Sequence, residues 1–140
     1  MNIDIIRVLI AAGVATVAWL VIGMFLYENP IVKPAYKAHE KKGILKKWEN
    51  MPKFLTVLVG VLIIQTLPWA VVYAFIKPVL PGMFFANALV FALILVVIKN
   101  IPKFVDMALM TTYPGKLLWI ELINGSISSL LIALVYAWLI

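Results

Sequence analysis

The chain has no cysteine, a single histidine (His39) and only six acidic residues among 140. Without thiols there are no disulfides and no thiolate metal sites, and the redox compartment leaves no trace. One histidine without cysteine is too thin a ligand set for structural zinc or haem. His39 lies in a charged connection, and no Ser/His/Asp set can be assembled around it. A glycine-rich phosphate loop is also missing. No catalytic residue, cofactor site or metal site is therefore predicted. Charge itself is scarce: 13% of residues are Asp, Glu, Lys or Arg, about half of what a soluble domain carries.

Apolar residues fill the space, at 65% of the chain with a mean hydropathy of +1.08. That composition belongs to an integral membrane protein, with room for one compact domain over residues 1–140. A span needs about 20 apolar residues to cross about 30 Å of hydrocarbon. Four stretches qualify, at about 5–27, 54–76, 82–98 and 117–139. They are continuously apolar instead of alternating, which selects helices over a barrel. The first, in "MNIDIIRVLIAAGVATVAWLVIGMFLY", is too long for a signal peptide's core and has Asp4 where a positive flank is expected. It reads as a retained span. The fold class expected is all-α, with four transmembrane helices and short amphipathic helices at the interface.

Basic residues are unevenly placed. Lys33, Lys37, Lys41, Lys42, Lys46, Lys47 and Lys53 join spans one and two; Lys99, Lys103 and Lys116 join spans three and four. Only Arg7 and Lys77 fall on the other side. The positive-inside rule puts both lysine-rich connections in the cytoplasm and both termini on the opposite side. This topology accounts for the net charge of +6 without nucleic acid.

Two near-identical pentapeptides, "NMPKF" at 50–54 and "NIPKF" at 100–104, fall on that lysine-rich side. A duplicated hairpin would hold both in one register, yet the first opens span two and the second follows span three. Asn is a favoured N-cap and Pro is tolerated in a first turn, so both read as the same interfacial helix start. The second would open a short amphipathic helix lying flat through "IPKFVDMALM"; the alternative is a kinked continuation of span three through Pro102. In the first connection, Ile44, Leu45 and Trp48 stand among lysines. Lys41, Lys42, Lys46, Lys47 and Trp48 are candidate contacts for anionic headgroups, each cation contributing about 1 kcal/mol near such a surface. Plain positive-inside topology is the simpler account of the same lysines.

Span four is the most polar. Glu121, Asn124, Gly125 and Ser128 fall at i, i+3, i+4 and i+7 and share one face. Polar groups in a span turn toward protein or water, so this face either lines a polar path or packs closely through its small residues. Packing is the commoner use, and Lys116 stands one turn before Glu121 as an interfacial partner. Thr16, Gln65, Thr66 and Asn87 are the other polar groups in spans, and Pro68 should kink span two. The Trp and Tyr residues lie mainly toward span ends, as an aromatic belt requires.

"GMFLYENP" at the end of span one and "GKLLWIELINGSISSLL" at the start of span four resemble a family of small bacterial four-helix membrane proteins catalogued as a domain of unknown function. The chain departs from that pattern at Leu26 and in its longer lysine-rich loop. The resemblance implies four helices, and it supplies no activity and no site residues. The leading functional expectation is a non-enzymatic membrane protein acting by helix association, with copies of itself or as an accessory subunit of a larger complex. A small transporter or channel using the Glu121 face is the alternative.

Overall fold

In the computed structural model, which describes residues 4–43 and 48–140, all regular structure among the described residues is helical. Helix α1 (Ile5–Glu28) starts at Asp4, whose carboxylate accepts from the Arg7 N–H at 3.2 Å. Asn29 ends it and opens the next helix. Its Nδ2 donates to the Leu26 carbonyl at 2.6 Å, while its Oδ1 accepts from Ile31 and Val32 N–H at 3.0 and 2.8 Å. Helix α2 (Val32–Glu40) follows and buries Val32 and Ala35. Ile44, Leu45, Lys46 and Lys47, which follow it in the same connection, are outside the described residues.

Helix α3 (Met51–Ile76) begins as anticipated: Asn50 accepts from the Lys53 N–H at 3.0 Å, with Pro52 in the first turn. Trp48 stacks on Phe54, ring centroids 5.4 Å apart. A 3-10 turn (Lys77–Val79) and Gly82, at φ +85°, reverse the chain into α4 (Phe84–Leu95). Only glycine takes that backbone conformation freely.

The third span departs from the expectation. Helix α4 runs through a π-helical turn (Val96–Asn100) straight into α5 (Ile101–Met110), making one span Phe84–Met110. The second pentapeptide starts nothing: Asn100 is itself helical, makes no capping bond and is buried. The wider turn explains why Pro102 does not break the helix. The Ile101 N–H reaches back five residues to the Val96 carbonyl, and the loosened ladder admits a proline ring that would otherwise clash one turn back. The continuation of span three through Pro102, the alternative reading of "NIPKF", is the conformation found. Helix α6 (Gly115–Leu139) is the fourth span.

The four long helices are apolar enough to cross a membrane, and the chain is a multi-pass membrane protein. Helix α1 packs between α3 and α6, and α6 packs on α4 and α5. Alanines make these seams: Ala11, Ala12 and Ala15 on α1, Ala70 and Ala74 on α3, Ala88 and Ala92 on α4 and Ala133 on α6. In a bilayer lipid tails compete equally for large apolar side chains, so close backbone approach is what holds helices together. Near the end that carries both termini, Tyr73, Phe91 and Tyr136 fill the space between α3, α4 and α6, all fully buried. Thr16 and Thr66 bond across the α1–α3 seam at 2.8 Å, and Tyr136 donates to the Thr66 carbonyl at 2.6 Å, beside Pro68.

Candidate polar cavity

Toward the lysine-rich end α3 and α5 do not pack closely against each other. A partly open cavity of about 310 Å³ lies between them, floored by α1 and α6. Three of the four face residues from span four, Glu121, Gly125 and Ser128, line it. Asn124 is buried beside them and does not line the space.

Glu121 is a clamp. Its Oε1 accepts from Tyr27 of α1 at 3.2 Å and from Tyr36 of α2; its Oε2 pairs with Lys103 of α5 at 2.9 Å. One carboxylate thus ties three other helices to α6. The partner expected for it, Lys116, is not the one found. Tyr27 and Tyr36 meet edge to face at 5.4 Å. Burial, then the hydrogen bond and charge of Glu121, raise the Tyr36 hydroxyl far above its ordinary range. Tyr113 moves the same way, by burial first and the Glu121 charge second. Tyr36 stays protonated, as a donor to a carboxylate must be.

Gly125 does what its size allows. A β-carbon there would stand 3.2 Å from Asn100 Oδ1 and 3.3 Å from its Cγ and Nδ2. The Asn100 amide lies against the bare α6 backbone and donates to Ser129 Oγ at 3.2 Å; Ser129 in turn donates to the Gly125 carbonyl at 2.8 Å. Gly125 thus lies close against Asn100, with Ser128 and Ser129 buried beside it. The Asn124 amide nitrogen is buried and makes no hydrogen bond of normal geometry. Among the lipid-contact candidates, Lys41 and Lys42 are exposed after α2.

Lys99 is the residue that sequence reasoning misplaces. Ending span three at Ile98 assigns it to the loop. In the continuous helix it stands about 22 Å from Phe84, at 1.5 Å per residue, inside the roughly 30 Å of hydrocarbon measured from that end. Its ammonium lies 3.7 Å from the ring centroid of Trp19, on the inner wall of the cavity with Gln65, Asn100 and Ser128. Among the described residues the carboxylates form three ion pairs, Arg7–Asp4, Lys33–Glu28 and Lys103–Glu121, and none involves Lys99. Lys99, Asn100, Pro102 and Lys103 interrupt the apolar run in "LVFALILVVIKNIPKFV", so short-range pattern does not reveal that the helix continues.

Comparison with protein-family models, with curated proteins and with solved structures finds no match for this chain.

Proposed function

We propose that this membrane protein binds a small anion within the bilayer, at Lys99, and that the cavity belongs to a carrier. The observation behind this reading is the charge count of the cavity wall: two ammonium groups, Lys99 and Lys103, against one carboxylate, Glu121. Lys103 is matched, so Lys99 leaves the cavity one positive charge in excess. A cation inside a span is costly, and its customary surroundings are a partner or an aqueous pathway. Here the indole face of Trp19 supplies a weak substitute, one that a solute anion can displace. Gln65, Asn100 and Ser128 add hydrogen-bonding groups around the same space.

The cavity lies toward the lysine-rich end, which the positive-inside rule assigns to the cytoplasm, with the termini opposite. Lys41 and Lys42, together with Lys46, Lys47 and Trp48, would rest against anionic headgroups on that side. Association with further copies or with other subunits has less support. The small-residue face of α6, the natural seam for a partner, is already engaged by Asn100 of the π-helical turn in the same chain.

The test is ligand-dependent thermal stability of the purified protein, against a panel of acetate, phosphate and sulfate with matched organic cations at constant ionic strength. A bound ligand at one hundred times its Kd stabilises by about 2.7 kcal/mol. One or more anions should raise the melting temperature of the wild type and leave Lys99→Met unmoved. Stabilisation by cations instead, or equal shifts in both proteins, would refute the proposal.

A further inference from the structure

Resting on the anion site just proposed, we infer that α2 regulates it: with Tyr36 docked on Glu121, Lys103 is free to join Lys99 on the anion, so anion binding and α2 docking favour each other. Three observations combine. First, Lys99 and Lys103 both line the cavity and stand four residues apart on one continuous span. That spacing puts two side chains on one helix face, with β-carbons about 5–6 Å apart. An anion held by the Lys99 ammonium therefore lies within the pull of Lys103.

Second, the two members of the Lys103–Glu121 pair differ in what they lose on parting. The Lys103 side chain is 56% exposed and that of Glu121 19%. An exposed ammonium exchanges partners at little cost, since water replaces what it leaves. A mostly buried carboxylate does not, because its charge must stay compensated. Lys103 is thus the movable member and Glu121 the fixed one.

Third, the oxygens of Glu121 divide its partners. Oε2 takes Lys103, and Oε1 accepts from both Tyr27 and Tyr36. With both hydroxyls in place, the carboxylate stays hydrogen-bonded when Lys103 swings toward the anion. Without Tyr36 it keeps one hydroxyl and holds Lys103 back. Tyr27 belongs to the long α1, whereas Tyr36 sits on the short α2, whose buried residues are Val32 and Ala35. The hydroxyl that comes and goes is therefore that of Tyr36. An anion that draws Lys103 away in turn leaves Glu121 more dependent on Tyr36. By linkage, each event strengthens the other by the same factor.

The experiment uses the full-length protein in detergent, with acetate, phosphate and sulfate as probes at constant ionic strength. Anion affinity is read from thermal shift. Release of α2 is read from trypsin cleavage at Lys37, which tracks the released fraction, normalised to a free peptide of the α2 sequence. An anion that stabilises the wild type should slow that cleavage about fivefold at saturation, the low end of the range for coupled sites. Tyr36→Phe should bind the same anion about fivefold more weakly, by the reciprocity of linkage, and be cleaved equally fast with and without it. Lys103→Gln should likewise be cleaved at one rate whatever the anion; it keeps the test decisive if Tyr36→Phe does not fold. Wild-type affinity in Tyr36→Phe, wild-type cleavage unchanged or accelerated by the bound anion, or full protection in Lys103→Gln would each overturn the coupling and leave the anion site standing. Failure of all three anions to stabilise the wild type would overturn both.

Discussion

Gly125 offers a perturbation whose outcome can be worked out from distances. An alanine there brings its β-carbon to 3.2–3.3 Å from three atoms of Asn100, a few tenths of an ångström inside comfortable contact. Asn100 cannot easily give way, because the π-helical turn fixes its backbone and Ser129 accepts its amide. Overpacking of this kind costs about 1–3 kcal/mol. Against it stands the gain of about 1 kcal/mol from replacing glycine inside a helix. Gly125→Ala should therefore come out near neutral to mildly destabilising, and Gly125→Leu should lose about 2–3 kcal/mol. Gly60 is the internal control: nothing lies within 4 Å of a β-carbon there, so Gly60→Ala should keep the propensity gain. Melting of the purified protein in detergent reads all three. Adding Asn100→Ala should relieve the clash and restore the alanine gain at Gly125, after a loss of about 0.6 kcal/mol for the membrane hydrogen bond. A Gly125→Leu protein that melts with the wild type would refute the reasoning.

Three further outcomes are expected. Cysteines at Lys42 and Thr112 should react with a membrane-impermeant reagent from the cytoplasmic side and one at Val79 from the other; labelling of Lys42→Cys and Val79→Cys from the same side would contradict the four-span topology. Tyr36 is held neutral by burial and by Glu121, so the docked hydroxyl keeps its proton at a pH where a released one, with its ordinary value of 10.0, gives it up. Docking of α2 should be fully present below pH 10 and weaken as pH rises above it, seen as faster proteolysis after α2. Tyr36→Phe should weaken docking by about 1 kcal/mol and flatten that dependence; an unchanged alkaline profile would exclude the Tyr36–Glu121 latch. Finally, replacing Lys41, Lys42, Lys46 and Lys47 by Gln should reduce binding of the excised connection to anionic vesicles, and salt should weaken the parent peptide likewise. Salt-independent binding would assign the affinity to apolar residues of that segment.

What sequence makes legible here is whatever depends on composition and short-range pattern. Four apolar runs, the Asn50 cap and the close approach at Gly125 need only hydropathy, capping chemistry and helical spacing. The end of span three is not legible in that way. Lys99 and Pro102 carry the ordinary marks of a helix end, and a π-helical turn that absorbs both leaves no local signature. From that one boundary follows the misplacement of Lys99 and Asn100, since a lysine in a loop is solvated and one inside a span needs an explanation. Helical spacing does identify Glu121 as an inward-facing group. Its partners are beyond the reach of spacing, because Tyr27, Tyr36 and Lys103 approach it from three different helices. The antiparallel placement of α5 against α6 decides that Lys103, not Lys116, is the neighbour.

An anion site at Lys99 requires position 99 to face a solute-accessible cavity at a depth where its neighbours face lipid. The natural chain has no cysteine, so Lys99→Cys, Val97→Cys and Ile98→Cys each give a single reactive site. Val97 and Ile98 are exposed on the outer surface of the same turn. In reconstituted vesicles, the thiol of Lys99→Cys should react with a small hydrophilic reagent added from the lysine-rich side. The thiols of Val97→Cys and Ile98→Cys should stay inert. An unreactive thiol at position 99, or one no faster than those at 97 and 98, would contradict the cavity and with it the anion site.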